Sequence, residues 1–182
     1  MTVRTSIEVG VDELQRALAD DAGFEAWYRR SLPRVYAYLM SRGGGDVALA
    51  EDLTQQTFVA AIDQRSRFDG RSDTITWLCG IARHKLVDHW RRMEREDRRL
   101  HAVAGTIVEP ADPWDVELDV MAARDVLGDL GAHHRAALTL RYVDDLPVAD
   151  VAAELGRTVH ATEALLVRAR SAFRNRYEEV TS

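Results

Sequence analysis

Two clusters of basic side chains are the strongest chemical signal in the sequence, and nearly all of their charge is arginine. The chain has 182 residues and a formal net charge of −6, and Lys85 is the single lysine among its 24 basic residues. Residues 83–99 hold seven bases and four acids, and residues 157–178 hold five bases and two acids. Arginine contacts phosphate oxygens through two parallel hydrogen bonds. Clusters of this kind are typical of a nucleic-acid backbone contact.

Acidic stretches flank the two basic clusters. Residues 1–25 hold two arginines and six acids, and residues 109–129 hold one arginine and seven acids. The acidic total argues against nucleic-acid binding by net charge alone. A single basic run is also common on a solvated helix end, but two basic clusters in an acidic chain favour two separate contacts with nucleic acid.

Several classes of protein are excluded by what the sequence lacks. Cys79 is the single cysteine, which excludes an internal disulfide and a thiolate zinc site. No apolar run reaches the ~20 residues of a membrane span, and the N-terminus lacks a signal pattern. The HExxH motif, glycine-rich phosphate loops and nucleophile elbows are missing from the sequence. We therefore expect a cytoplasmic protein that is not an enzyme and has no catalytic residues, metal or cofactor.

The first basic cluster is expected on a long helix. Apolar residues recur at steps of three and four over 24–40, and the glycine run at 43–45 ends that helix. Asp46 is a good N-cap for a second helix over 47–62, and Pro33 either kinks the first helix or divides it. Residues 68–73 read as a loop, from which Asp73 or Ser72 caps a helix over about 74–99.

The second basic cluster lies at the end of a predicted helix-turn-helix. A helix over 132–142 and a break at 144–147 precede a short helix over 148–155, which Gly156 ends. The next helix begins at about 158 and runs to 177, and in such a pair the second helix is shaped to enter the major groove. We expect an inward-facing set at this turn: Val148, Val151, Ala152, Leu155, Val159 and Leu166.

These elements predict an all-α chain of two small helical domains joined by a flexible acidic linker. The predicted boundaries are an N-terminal extension at 1–21, a first domain at 22–100, a linker at 101–121, a second domain at 122–178 and a tail at 179–182. Helix pairs of this type also occur in proteins that never bind DNA. The arginines that follow the turn favour DNA binding here.

Six short motifs, taken together and in order, resemble a known family. Residues 50–58 read AEDLTQQTF, and residues 76–85 read TWLCGIARHK, followed by Asp88 and Arg91-Arg92. Residues 138–141 read LTLR, residues 152–156 read AAELG, and residues 168–170 read RAR. Over about residues 22–178 the chain resembles an extracytoplasmic-function (ECF, group IV) sigma factor of bacterial RNA polymerase.

The resemblance implies a sigma-2-like bundle, a sigma-4-like helix-turn-helix domain, and a linker that runs through the polymerase. It implies promoter recognition and strand opening, while the polymerase performs the chemistry. The implied partners are core RNA polymerase (its beta-prime clamp helices and beta flap), promoter DNA and an anti-sigma factor, with no membrane insertion.

The resemblance also assigns residues to three contacts. Polymerase binding falls on a polar helix face: Glu51, Asp52, Gln55 and Gln56. Contact with the −10 element falls on the loop and the long helix: Asp69, Arg71, Ser72, Asp73, Arg83, His84, Lys85, Asp88, Arg91 and Arg92. Contact with the −35 element falls on the helix-turn-helix: Arg141, Arg157, Thr158, His160, Ala161, Glu163, Arg168 and Arg170.

The chain departs from the family pattern at the second helix of the turn. Many relatives have Gly, Lys and Arg where this chain has His160, Glu163 and Leu165. Glutamate accepts a hydrogen bond from the cytosine amino group but repels phosphate, and Leu165 is expected to pack against its own domain. We therefore expect an unusual sequence preference at −35. Phe68 and Trp77 have two open interpretations, as core residues or as stacking surfaces for bases.

A second interpretation is a one-component helix-turn-helix regulator that dimerises through its first domain and has no sigma activity. It predicts tight binding to a palindromic duplex without polymerase. The sigma interpretation predicts a monomer that needs polymerase and reads two separate elements.

Overall fold

The computed structural model describes Leu14, residues 19–100 and residues 120–181, and every regular element among them is helical. In chain order the elements are α1 (Asp21–Arg42), α2 (Val47–Asp63), a 3-10 turn (Arg65–Arg67), α3 (Thr74–Leu100), α4 (Val120–Asp129), α5 (Ala132–Leu138), a π-helical segment (Thr139–Val143), α6 (Val148–Leu155) and α7 (Val159–Thr181). The all-α prediction is confirmed. Most of the predicted linker lies outside the described residues.

Contacts divide the chain into two units, Met1–Leu86 and Val87–Ser182, with the boundary inside α3. In the first unit, α1 and α2 pack through aromatic rings. Trp27 and Tyr28 meet Phe58 edge-on, with ring centres 5.4 and 4.6 Å apart. Edge-to-face geometry is favoured because the positive ring edge meets the negative ring face. Pro33 lies inside α1, which continues past it without a break in the helix.

The helix ends of the first unit follow local sequence signals. Asp46 Oδ1 accepts a hydrogen bond from the Leu49 N–H at 3.0 Å, as predicted for the N-cap of α2. Gly44 and Gly45 both have positive φ, 77° and 78°, in the turn between α1 and α2. Glycine enters this region without a Cβ clash, so the run allows the chain to reverse there.

In the second unit, α7 is the helix on which the others pack. Val126 of α4 and Leu138 of α5 share a buried cluster with Phe173 of α7. Leu165 and Leu166 of α7 form a second cluster with Ala137 of α5, against which the apolar side of α6 packs. This packing fixes the orientation of α7 relative to α4, α5 and α6, and leaves the opposite face of α7 on the surface of the unit.

Two expectations for the second unit differ from the structure. The helix predicted over 132–142 is α-helical only to Leu138, and it continues as the π-helical segment Thr139–Val143. Val159 was expected to pack inward, but 46% of its surface is exposed. Val159 is the first residue of α7, and the buried residues of this helix begin only at Thr162.

None of the helices described is long and apolar enough to cross a membrane.

Candidate polymerase and promoter interfaces

The predicted polymerase contact forms an exposed face of α2. Glu51, Asp52 and Gln55 are exposed, and the half-buried Gln56 donates a hydrogen bond through Nε2 to Asp52 Oδ2 at 2.8 Å. Asp52, Gln55 and Gln56 line an open groove of about 320 Å³. We call this groove the α2 groove. The structure therefore brings three of the four predicted residues together in one concave surface.

The loop before α3 is held by two aspartates. Asp69 Oδ1 accepts a hydrogen bond from the Arg71 N–H at 3.1 Å, and its other oxygen lies 3.3 Å from Arg71 Nε. Asp73 caps α3 by accepting from the N–H groups of Ile75 and Thr76, both at 2.9 Å, and from Thr76 Oγ1 at 2.7 Å. The hydrogen bond from the Thr76 hydroxyl is the main reason why the pKa of Asp73 is lowered. The capped loop projects Arg71 into solvent.

The predicted −10 residues on α3 occupy more than one side of the helix. His84, Asp88 and Arg92 are exposed at spacings of four residues and form one stripe. Arg83 is half-buried, and Lys85 lines the α2 groove with the predicted polymerase residues. Lys85, which the resemblance assigns to the −10 element, therefore lies beside the predicted polymerase contact.

Phe68 and Trp77 pack on each other, with ring centres 5.0 Å apart. Phe68 is buried, as the core interpretation predicts, whereas Trp77 is half-buried. Trp77 therefore keeps an accessible part beside the capped loop, and Phe68 does not.

Within the second unit, two predicted DNA-contacting arginines have protein partners. Arg91 donates to the carbonyl oxygens of Ala153 (3.3 Å) and Glu154 at the end of α6. Arg157 forms an ion pair with Glu94. Helix-end carbonyls lack partners inside the helix, so a guanidinium group near them is favourable.

The turn between α6 and α7 is set by Gly156 and Thr158. Gly156 has φ 62°, a left-handed conformation that ends α6. Thr158 Oγ1 accepts a hydrogen bond from the Ala161 N–H at 3.2 Å and so caps α7. The two residues produce the predicted helix-turn-helix.

The first two turns of α7 expose two polar side chains, His160 opposite the buried residues of the helix and Glu163 on its flank. The side chain of His160 is 98% exposed and that of Glu163 is 59% exposed, with Nδ1 and Oε2 4.0 Å apart. Ala161 and Arg168 are half-buried. Leu165 is buried, so the prediction that it packs against its own domain is confirmed.

Sequence comparisons match two regions of the chain to known families. Sigma-70 region 2 matches residues 27–96, and Sigma-70 region 4 matches residues 121–173. The chain is 31% identical over 175 residues to the ECF RNA polymerase sigma factor SigC of Mycobacterium tuberculosis, with 94% of each chain covered. It is 32% identical over 166 residues to the ECF sigma factor BldN of Streptomyces coelicolor, covering 86% of this chain and 61% of BldN. The chain belongs to the ECF sigma factor family.

Among solved structures, the chain is similar to the sigma factor RpoE of Bartonella quintana in its complex with the anti-sigma factor NepR. The TM-score is 0.50 at 25% identity, with 85% of this chain and 96% of that chain covered.

Sequence reasoning about this sigma factor missed an aromatic side chain between two predicted −35 arginines. Tyr142 is 45% exposed, its hydroxyl accepts a hydrogen bond from Arg170 at 3.4 Å, and Arg141 lies 5.6 Å from its ring centre. Arg141 also donates to the Leu146 carbonyl at 3.1 Å. The π-helical segment gives its residues angular positions that a 3.6-residue period does not predict.

Val59 was also missed in this sigma factor. It is 61% exposed and lines the α2 groove, and Val47 at the start of α2 is 52% exposed. Because helix positions four apart share a face, Val47, Glu51, Gln55 and Val59 form one stripe. The sequence contained this signal, because Val59 lies four residues after Gln55 and therefore on the same face of the helix.

Proposed function

We propose that this protein is an alternative sigma factor that binds core RNA polymerase, recognises −35 and −10 promoter elements and assists promoter melting. The observation that carries the proposal is the occurrence of both sigma regions in one chain, each with an accessible candidate surface. The protein itself catalyses no reaction and acts in the cytoplasm, where the polymerase and promoters are.

Polymerase binding is assigned to the α2 groove. Val59 supplies an exposed apolar centre, and Asp52, Gln55 and Gln56 supply a polar rim. Interfaces typically combine an apolar core with a polar rim that stays accessible to water. In the family this face meets the clamp helices of the beta-prime subunit, and the second domain meets the beta flap.

The −10 element is assigned to the capped loop and the exposed stripe of α3. Single-stranded DNA binding combines positive charge along the backbone with planar groups that stack on bases. Arg71 and Arg92 are exposed and supply charge, and the accessible part of Trp77 offers a stacking surface. His84 and Asp88 lie on the same stripe as Arg92 and complete the candidate surface.

The −35 element is assigned to α7 and the turn before it. A recognition helix places side chains near its N-terminus on base edges, and neighbouring arginines hold the phosphates. His160 and Glu163 have the exposure that base contact requires. Arg141 and Arg170 both contact Tyr142 and are assigned to the DNA backbone.

An anti-sigma factor is the proposed regulatory partner. The similar sigma factor from Bartonella quintana was crystallised with one. Such an inhibitor acts by covering surfaces that polymerase and promoter need, and both units of this chain carry candidate surfaces of that kind.

Run-off transcription with purified core polymerase tests the proposal. We expect discrete transcripts from genomic fragments only when the protein is added. In the same reconstitution, Val59→Asp should lower the affinity for core polymerase by about tenfold or more, because a central apolar contact is replaced by a desolvated charge.

A matched control is Val180→Asp, since Val180 is 51% exposed and lies outside the two matched regions. It should leave polymerase affinity unchanged. Tight binding to a palindromic duplex by a dimer, with no retention of core polymerase, would support the one-component regulator instead.

A further inference from the structure

The outer face of α7 carries an unusual set of side chains for DNA recognition. The buried side of α7 is formed by Thr162, Leu165, Leu166, Ala169 and Phe173. At about 100° per residue, the opposite side is centred on His160, Ala164 and Val167, with Glu163 at its edge. We call these four residues the reading face. Ala164 and Val167 are half-buried, and neither was identified from the sequence.

We propose that the reading face selects cytosine through Glu163 and thymine through the methyl groups of Ala164 and Val167, without an arginine contact to guanine. The inference rests on the proposed −35 role of α7 and specifies the bases that it takes.

The reading face has no arginine or lysine. The first basic residue of α7 is Arg168, which lies five residues beyond Glu163 and on the opposite flank of the reading face, beyond the first two turns of the helix. Arg157, just before α7, is paired with Glu94. The commonest specific contact in the major groove is from Arg or Lys to guanine O6 and N7. These side chains are therefore poorly placed to make it in the first two turns of α7.

Glu163 restricts the base that it can face. Its carboxylate is an acceptor without a donor, and 59% of the side chain is exposed. Guanine presents two acceptors in the major groove, which repel a carboxylate, and adenine presents its amino donor beside the N7 acceptor. Cytosine presents an amino donor and has no acceptor of its own at this edge. A carboxylate held close to phosphates is tolerated best where it gains this hydrogen bond.

Ala164 and Val167 present methyl groups beside Glu163. The two residues are about one helical turn apart, so they face neighbouring base pairs along the groove. Thymine is the one DNA base with a methyl group at the major-groove edge, and apolar side chains contact it. Removing that methyl from water is favourable by an amount that corresponds to about a threefold change in affinity.

The test uses holoenzyme reconstituted from core polymerase and the full chain, with a promoter library randomised over the −35 element. We expect the wild-type protein to enrich cytosine at one position by about fivefold to tenfold. Glu163→Gln should shift that position towards adenine, because an amide both donates to N7 and accepts from N6. Glu178→Gln removes the same charge from the exposed end of α7 and should leave the enrichment unchanged.

The methyl contact is tested by replacing each enriched thymine with deoxyuridine. Wild-type holoenzyme should lose about threefold in affinity at one or two positions. Val167→Ala withdraws two methyl groups and should reduce the loss at one of these positions, and its thermal unfolding should stay close to that of the wild-type protein because Val167 is only half-buried.

Three outcomes would overturn the inference. One is an unchanged cytosine enrichment in Glu163→Gln, the second is no effect of deoxyuridine, and the third is enrichment of a guanine that depends on Arg157 or Arg168. All three leave the proposed sigma function intact, because transcription and a selected −35 element are still observed. A holoenzyme that transcribes no library member would instead remove the proposed function, and this inference with it.

Discussion

His134 lies half-buried in α5, with its ring centre 4.2 Å from that of His133. Burial is the main cause that lowers the pKa of His134 to about 4, with further contributions from His133 and Arg168. The unfolded chain binds this proton near pH 6.5. Between about pH 6.5 and 4 the unfolded state therefore binds more protons, and the free energy of unfolding falls as the pH is lowered through that range.

We predict that the His134 ring resonances titrate with an apparent pKa near 4 in the folded protein. His134→Gln should remove part of the stability loss between pH 7 and pH 5, about 1 kcal/mol after allowance for the partial exposure of the ring. Proton NMR over pH 3.5–8 and urea unfolding at the two pH values measure both effects. Asn175→Gln, at an exposed side chain of α7 that does not titrate, is the control and should not alter the pH dependence. Titration of His134 near pH 6.5 would contradict the prediction.

Two buried threonines of the second unit differ in how their hydroxyl groups are satisfied. Thr139, in the π-helical segment, is 1% exposed, and its Oγ1 has no hydrogen-bond partner. Thr162 in α7 is 0% exposed, and its Oγ1 donates to the Thr158 carbonyl at 3.0 Å. A buried hydroxyl without a partner is destabilising, while a bonded one contributes to stability.

Replacement by valine, which has the same shape, should therefore act in opposite directions at the two positions. We expect Thr139→Val to raise the free energy of unfolding by about 1 kcal/mol and Thr162→Val to lower it by about 1 kcal/mol. Urea unfolding of the two variants, with unchanged m-values, is the measurement. Each variant serves as the other's control, and destabilisation by both would show that the Thr139 hydroxyl has a role in the fold.

At the level of elements, the start of α3 depends on one cap. Asp73 satisfies the N–H groups of Ile75 and Thr76, which have no partners inside the helix. Asp73→Ala should lower stability by about 1 kcal/mol. It should also accelerate amide exchange at Ile75 and Thr76 by about fivefold.

Asp73→Asn is the matched control, because asparagine caps nearly as well. Its stability should stay close to that of the wild-type protein at pH 7. The bonds that lower the pKa of Asp73 stabilise the fold above the carboxyl's unfolded pKa near 3.8, and this stabilisation is lost as the pH falls through the lower folded pKa. Asp73→Asn should lack that acid-dependent loss. Equal amide exchange in both variants would show that the cap does not fix the helix start.

Helix starts and stops were predictable because their signals are local. The caps at Asp46 and Asp73 and the left-handed Gly156 each act on residues within one turn, so a single sequence window contains them. The exposure of Val159 and the π-helical segment at Thr139–Val143 depend on how α5 and α6 pack against α7. Packing partners lie many residues away, and no local window contains that information.

Some candidate site residues were likewise predictable from local sequence, and others depend on contacts between distant elements. The polar face of α2 followed from helical periodicity, and the structure gathers three of its four predicted residues in one groove. Lys85 reaches the same groove from α3, and Tyr142 meets Arg170 across 28 residues of sequence. Both contacts join different elements, so spacing along one helix does not predict them. The position of each predicted DNA contact on the promoter stays a prediction.

For the whole molecule, the distribution of charge explains how an acidic chain can serve as a DNA-binding factor. The basic clusters at 83–99 and 157–178 are separated by a stretch, 109–129, that holds one arginine and seven acids. We expect this stretch to compete with DNA for the basic clusters in the free protein. We expect docking on polymerase to remove the competition.

Neutralising four acids of this stretch, at Asp112, Asp115, Glu117 and Asp119, should raise the affinity of the free protein for promoter duplex by about tenfold at low salt. The matched control neutralises Glu8, Asp12, Glu13 and Asp20, which changes the net charge from −6 to −2 in the same way. Fluorescence anisotropy between 50 and 200 mM salt measures both, and the difference should shrink as salt screens the charges. Because the two variants have equal net charge, equal gains would mean that total charge alone sets the affinity, and competition by the central stretch would be wrong. A gain confined to the central stretch would mean that its position between the basic clusters keeps the free sigma factor from binding DNA.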